Sequence, residues 1–208
     1  MTKTILRREL YKRLQNCDKP PEQELRATLD KLKEQLAYHC PDLLLAFVPR
    51  HDEVDVWPVL QAFSSLKACR VAFAKVVARN LEFALWQEAA PLPDWSSLCE
   101  DEALWRRHPR WDLVEPNFPS RIIPKGGKLV LLCPGLGFCI HEGQIFRLGR
   151  GKGFYDRAIA RLRSNCNIEA WGVGYGMQWH PDLPLVHEPE RDQVLDRLFI
   201  AGQLYRGR

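Results

Sequence analysis

Leucine spacing marks the first two elements of the chain. Leu6, Leu10 and Leu14 recur every four residues among charged neighbours, the pattern of a helix with one buried stripe, and the Asp18-Lys19-Pro20-Pro21 break ends it. Leu25, Leu29, Leu32 and Leu36 mark a second helix. The pattern then becomes continuous. "LLLAFV" (43–48) and "RVAFAKVV" (70–77) read as strands, joined by a helix from about Pro58 that carries Leu60, Phe63 and Leu66. "KLVLLC" (128–133) is an uninterrupted apolar run that suits a strand covered on both faces, and Pro134-Gly135 ends it. Tyr155, Ile159 and Leu162 predict a further helix, "IEAWGVGY" (168–175) a strand, and "VLDRLFI" (194–200) fits either strand or helix. From Asn80 to Lys128 periodicity fades while Pro, Trp and Glu accumulate, which predicts an irregular covering segment. Alternating strands and helices predict an α/β fold: a three-layer α/β/α sandwich with a mostly parallel sheet, one domain spanning 1–208.

Composition narrows the function classes. At 208 residues, 46% hydrophobic and 27% charged, the chain can bury a full core. Its net charge of +4 is spread from end to end, too mild to make nucleic acid a main partner. Seven cysteines, at 17, 40, 69, 99, 133, 139 and 166, form no CxxC pair and read as reduced thiols. The interleaved charges of "MTKTILRRELYKRL" are unlike a signal peptide, and no apolar run reaches the length of a membrane span. A cytoplasmic, monomeric protein without a membrane partner is the expectation.

The chemistry concentrates in "RLGRGKGFYDR" (147–157). Gly149, Gly151 and Gly153 stand just before a predicted helix, flanked by Arg147, Arg150 and Lys152. Backbone N–H groups freed by glycine at a helix N-terminus form a concave donor array for phosphate oxygens. It is neither of two familiar phosphate loops. A Walker loop needs Ser or Thr after its Gly-Lys, where this chain has Gly153, and the third glycine comes one position too early for the dinucleotide pattern G-x-G-x-x-G.

"PGLGF" (134–138) followed by "RLGRGKGFYD" (147–156) resembles the signature of the 5-formyltetrahydrofolate cyclo-ligases, the methenyltetrahydrofolate synthetases. "KTILR" near the N-terminus, "DEVD" (52–55), "WDLVEP" (111–116), "GYGMQ" and "ERDQVLD" extend that resemblance over almost the whole chain, with Gln178 standing for the family's glutamine. It implies ATP and a reduced formyl-folate as partners, with Mg²⁺ as the metal. It assigns Lys3, Arg7, Arg147, Gly149, Arg150, Gly151, Lys152, Gly153, Phe154 and Tyr155 to ATP. Val48, Glu53 and Trp111, with Arg150, Gly151, Lys152, Gly153 and Phe154, fall to the folate, and Asp156 and Asp192 to the metal. Arg150, Lys152 and Tyr155 are the expected catalytic residues. The implied reaction converts 5-formyltetrahydrofolate and ATP to 5,10-methenyltetrahydrofolate, ADP and phosphate.

Composition by itself gives several of these residues plainer roles. Lys3 and Arg7 would be a solvated helix face, Asp156 a first-turn carboxylate favoured by the helix dipole, and Asp192 a turn residue or cap. The chain departs from the family pattern at Cys139, where aspartate is usual, at Val56, where threonine is usual, and in the longer "IHEGQIF" connection to Arg147. These departures define the alternative: a nucleotide-binding protein with a changed acceptor, or with a non-catalytic binding role. Arg150, as a surface arginine on a loop, is expected to contribute little to stability.

Overall fold

A computed structural model of the chain describes residues 2–16, 21–64, 69–86, 92–93, 102–110, 113–120, 123, 126–183, 188 and 191–208. Helices α1 (Lys3–Asn16) and α2 (Glu22–His39) precede strand β1 (Leu43–Ala46), helix α3 (Trp57–Ser64), and strands β2 (Arg70–Val77) and β3 (Asn80–Leu85). Short strands β4 (Trp105–Arg107) and β5 (Val114–Pro116) come next, then β6 (Lys128–Cys133), β7 (Gly137–His141) and β8 (Gln144–Leu148). Helix α4 (Phe154–Arg163) and strands β9 (Asn167–Gly174), β10 (Arg197–Ile200) and β11 (Gln203–Arg206) complete the order.

Seven strands form the main sheet in the order β11-β10-β9-β6-β1-β2-β3. The five inner strands run parallel, and β3 and β11 are antiparallel edges, so the expectation of a mostly parallel sheet holds. The inner strands are apolar on both faces because both are covered. Leu44, Ala46, Phe73, Val130, Leu132 and Val173 face a core shared with Leu29, Leu32 and Leu36 of α2 and Val59, Leu60 and Phe63 of α3. Leu43, Leu45, Leu129, Leu131 and Ala170 alternate with them and face Ala158, Ile159 and Leu162 of α4. That alternation makes the three layers. Helix α1 is a separate addition, buried through Leu6 and Leu10 against Leu136 and Leu148.

One expectation is corrected and two further segments take a definite form. The covering segment predicted from Asn80 contains β3, a regular sheet strand, and the β4–β5 pair. The connection leading to Arg147 is the β7–β8 hairpin, closed by a turn with Glu142 at φ 51° and Gly143 at φ 80°. The 194–200 segment contains a strand, β10, continued by the β11 hairpin. Edge strand β3 is capped from α4: Arg157 donates to the Arg79 carbonyl and Arg161 to the Leu81 carbonyl, covering a row of groups open to another chain.

No helix among the described residues is long and apolar enough to cross a membrane. Cys40, Cys69, Cys133, Cys139 and Cys166 are free thiols, while Cys17 and Cys99 lie outside the described residues.

The β4–β5 pair is attached to the sheet by a fully buried acid. Glu115 accepts from the Val76 amide of β2 at 2.9 Å and from Arg106 Nε and Nη2 at 3.0 and 2.8 Å. Removing one partner of a buried charged network strands the others, so Glu115→Ala should destabilise the protein by about 3 kcal/mol. Urea denaturation measures this, and Glu115→Gln, which keeps an acceptor, should lose less.

Candidate active site

Chain order reverses between β1 and β6. From β1 the sheet grows one way through β2, and from β6 it grows the other way through β9 and β10. Loops leaving the carboxyl ends of these two strands therefore diverge and open a crevice between them, the usual ligand site of such sheets. A cavity of about 550 Å³ lies there, lined by Phe47 and Val48 after β1 and by Pro134 and Gly135 after β6. The volume suits a small-molecule ligand.

The glycine loop, 149–153, forms one wall. Gly151 and Gly153 have φ of 88° and 64°, a region that side-chain-bearing residues adopt at a cost, so the sequence needs glycine at both. Gly153 is the N-cap of α4, no side chain caps that helix, and Phe154, Tyr155 and Asp156 of its first turn line the cavity. Lys3 and Arg7 of α1 join the wall from the opposite end of the chain.

Cations and acids alternate around the rim. Arg147, 4% exposed, donates from Nη2 to Asp156 at 3.1 Å and from Nη1 to the Pro134 carbonyl at 3.2 Å. Its guanidinium also lies 5.1 Å from the centre of the Tyr155 ring. Lys3 Nζ reaches Asp192 at 2.6 Å and Glu188 at 3.1 Å, and Arg7 Nε donates to the Gly149 carbonyl at 3.0 Å. Each acid expected to hold the metal is thus paired with a cation expected to bind phosphate.

Two adjacent acids after β1 meet Arg150. Both Asp52 oxygens lie 2.6 Å from its Nη2, and Glu53 Oε1 lies 3.7 Å from the same nitrogen. Their environments separate them. Burial pushes the Glu53 carboxyl up to about 7 against the opposing pull of Arg150 and the Arg50 amide. Burial pushes Asp52 the same way, but its bond to Arg150 and the charges of Arg150 and Arg50 together outweigh that and hold it below the ordinary carboxylate range. Asp52 is ionised where Glu53 can keep a proton. Burial also raises the Tyr155 hydroxyl well above its usual value, leaving it a neutral donor.

Every expected site residue that the structure describes lines this one cavity: Lys3, Arg7, Val48, Glu53, Arg147, the 149–155 loop and helix start, Asp156 and Asp192. Trp111 lies outside the described residues, and near it in sequence Leu113 and Val114, the latter the first residue of β5, form part of the wall. Among the described residues no group of three His, Cys, Asp or Glu side chains could hold a metal by itself. Gln178 is instead a buried clasp, its side chain bonded to the Tyr175 amide and the Gly135 carbonyl. The departures Val56 and Cys139 are both buried residues away from the cavity wall, Val56 just before α3 and Cys139 with a thiol that burial pushes up to about 11. Sequence reasoning missed Asp52, Arg50, Glu188 and Arg191, charged residues in segments where only a neighbour had a motif role. It also treated Arg150 as a surface side chain. Its partner Asp52 is 1% exposed, so removing Arg150 affects a buried charge as well as the cavity.

An α/β protein with a cationic, glycine-rich loop at its switch point is the class that fold and site define. No protein-family model matches the chain. It is 25% identical over 203 residues to the 5-formyltetrahydrofolate cyclo-ligase of Mus musculus, covering 91% of each chain. A probable 5-formyltetrahydrofolate cyclo-ligase of Schizosaccharomyces pombe is 29% identical over 106 residues, 47% of this chain and 50% of that one. The fold is shared with 5,10-methenyltetrahydrofolate synthetases of Aquifex aeolicus, with a TM-score of 0.69 and 23% identity over 100% of this chain and 95% of that one, and of Mycoplasma pneumoniae, with 0.61 and 20% over 96% and 98%. The sequence likeness to the cyclo-ligase of Mus musculus covers 91% of the chain and so extends well beyond its motifs.

The shifted acid gives a pH signature. An unfolded glutamate releases its proton near 4.5, whereas Glu53 keeps its own to about 7 in the folded chain. The folded state then binds more protons across that window, so the contribution of Glu53 to stability is whole below 4.5 and is lost as pH rises through 7. Glu53→Gln should flatten the decline in urea midpoint over that interval; an unchanged decline would place its source elsewhere.

Proposed function

We propose that the protein is an ATP-dependent cyclo-ligase that converts 5-formyltetrahydrofolate to 5,10-methenyltetrahydrofolate. The observation that carries this reading is the convergence on one cavity of the glycine-rich loop, the two α1 cations and the acidic segment after β1, drawn from three remote parts of the chain. The likeness to the cyclo-ligase of Mus musculus over 203 residues supports it.

The chemistry asks the protein mainly for positioning and charge neutralisation. The formyl oxygen of the folate attacks the γ-phosphorus of ATP, and ADP departs. The oxygen, a poor leaving group as it stands, becomes part of a phosphate ester. N10 then attacks the formyl carbon and gives up its proton, and the oxygen leaves with phosphate as the five-membered ring closes. Loop N–H groups and Arg147, Arg150, Lys152, Lys3 and Arg7 would offset the phosphate charge. Glu53, with Phe47 and Val48 beside it, would take the folate, and the buried Tyr155 hydroxyl would donate a hydrogen bond.

Asp156 and Asp192 are the residues that would hold Mg²⁺. Two carboxylates suit an ion that keeps most of its shell as water and phosphate oxygens. When bound, the ion supplies further neutralisation of the triphosphate.

The test is absorbance of purified protein with ATP, Mg²⁺ and 5-formyltetrahydrofolate. The near-ultraviolet band of the methenyl product should grow only in the complete mixture. Arg150→Ala should lower kcat/KM by about a hundredfold or more, as loss of a preorganised charge at the reacting group does. No band from a protein that still binds ATP would transfer the reading to a different acceptor.

A further inference from the structure

We infer that Asp52 is the positioning residue for Arg150: a buried carboxylate that fixes which nitrogens of the loop arginine face the cavity. What the arginine does once fixed rests on the cyclo-ligase reading above.

The loop that carries Arg150 has little stiffness of its own. Gly149 and Gly151 flank the residue, and Gly151 lies at φ 88°. A guanidinium on such a backbone can swing, and a swing of about 1 Å is enough to cost two orders of magnitude in a reaction that depends on placement. Asp52 removes that freedom. Its side chain is 1% exposed, and the Arg150 side chain it holds is 29% exposed, so the anchor lies inside and the anchored group at the cavity wall.

Direction follows from which atom is held. Asp52 takes Nη2 with both oxygens at 2.6 Å, and Glu53 approaches the same nitrogen at 3.7 Å. Among the described residues neither Nη1 nor Nε of Arg150 makes a hydrogen bond, so donors of the rigid planar group remain for an anion. Tyr11 of α1 covers the guanidinium face, with its ring centre 5.4 Å from Cζ. The acid at Nη2 and the ring on one face hold the group in place and leave Nη1 and Nε as the remaining donors. Arg50, with Nε 3.6 Å from Asp52, keeps the acid charged and leaves it tied to the β1 loop.

The neighbouring acids therefore divide the work. Asp52 holds the arginine, and Glu53 lines the cavity.

Two experiments separate the clamp from the activity. In the protein without added ligand, the Asp52 carboxyl followed by carbon-13 NMR should titrate below the ordinary range and move upward in Arg150→Ala. An unmoved titration overturns the clamp, whatever the protein catalyses. In the methenyl assay, Asp52→Asn and Asp52→Ala should each lower kcat/KM about a hundredfold in the natural background, with melting curves to verify folding. In an Arg150→Ala background the same changes should cost less than about threefold, since the two residues act as one unit. Added guanidinium ion should restore part of the Arg150→Ala turnover while Asp52 is present, and none in the double variant. Equal losses in both backgrounds, or rescue without Asp52, would overturn positioning through Arg150. If the natural protein forms no methenyl product, the proposed function falls and the NMR titration alone decides the clamp.

Discussion

The matching of a cationic glycine loop to acids from remote segments is the constraint on which the site depends. Arg150 meets Asp52 across 98 positions of sequence, and Lys3 meets Asp192 across 189. Pairs of this kind add little net stability once desolvation is counted, but a mismatched buried charge costs several kcal/mol. They therefore act by exclusion: the β1 loop, the glycine loop and the residues Glu188 and Asp192 can sit together only in an arrangement that neutralises each charge. The topology makes this feasible, because loops leaving β1 and β6 diverge at the reversal of strand order and leave room for charged side chains beside a dry sheet.

Around this site the rest of the molecule supplies rigidity. Trp57, Phe73, Trp86, Trp105 and Phe118 form one aromatic cluster that joins α3, β2, the end of β3 and the β4–β5 pair, with Trp86 and Trp105 stacked at 5.8 Å. The cluster and Glu115 fix the β4–β5 pair to the sheet, and Leu113 and Val114 extend from that pair into the cavity wall. Packing on one side of the sheet thereby sets the shape of a polar site at the carboxyl ends of its central strands.

Legibility in the sequence followed physical cause. β2, β6 and β9 were plain because strands covered on both faces are continuous apolar runs, and α1 and α2 because a single buried stripe has a fixed period. The hairpins were not. Their turns place Ala78, Glu142 and Ala201 at φ near 50°, where the usual Asn or Asp would have flagged them, so "ARNLEFAL" and "CIHEGQIF" carried no strand-turn-strand signal. β4 and β5 are three residues each, too short for any period to register, and they are held by Glu115 and aromatic packing instead.

In the site, glycines and clustered charge were legible because they stand together in one short stretch. Asp52 was not, because its role depends on a partner 98 positions away and its immediate neighbour has the motif role. Composition treats Asp52 and Glu53 alike. Burial alone would shift both upward, yet only Asp52 has both oxygens on Arg150 and Arg50 beside it, so Asp52 remains charged and Glu53 does not follow. The difference between the two acids arises from which of them the fold turns toward the arginine, a fact of tertiary geometry that adjacent letters in a sequence do not contain.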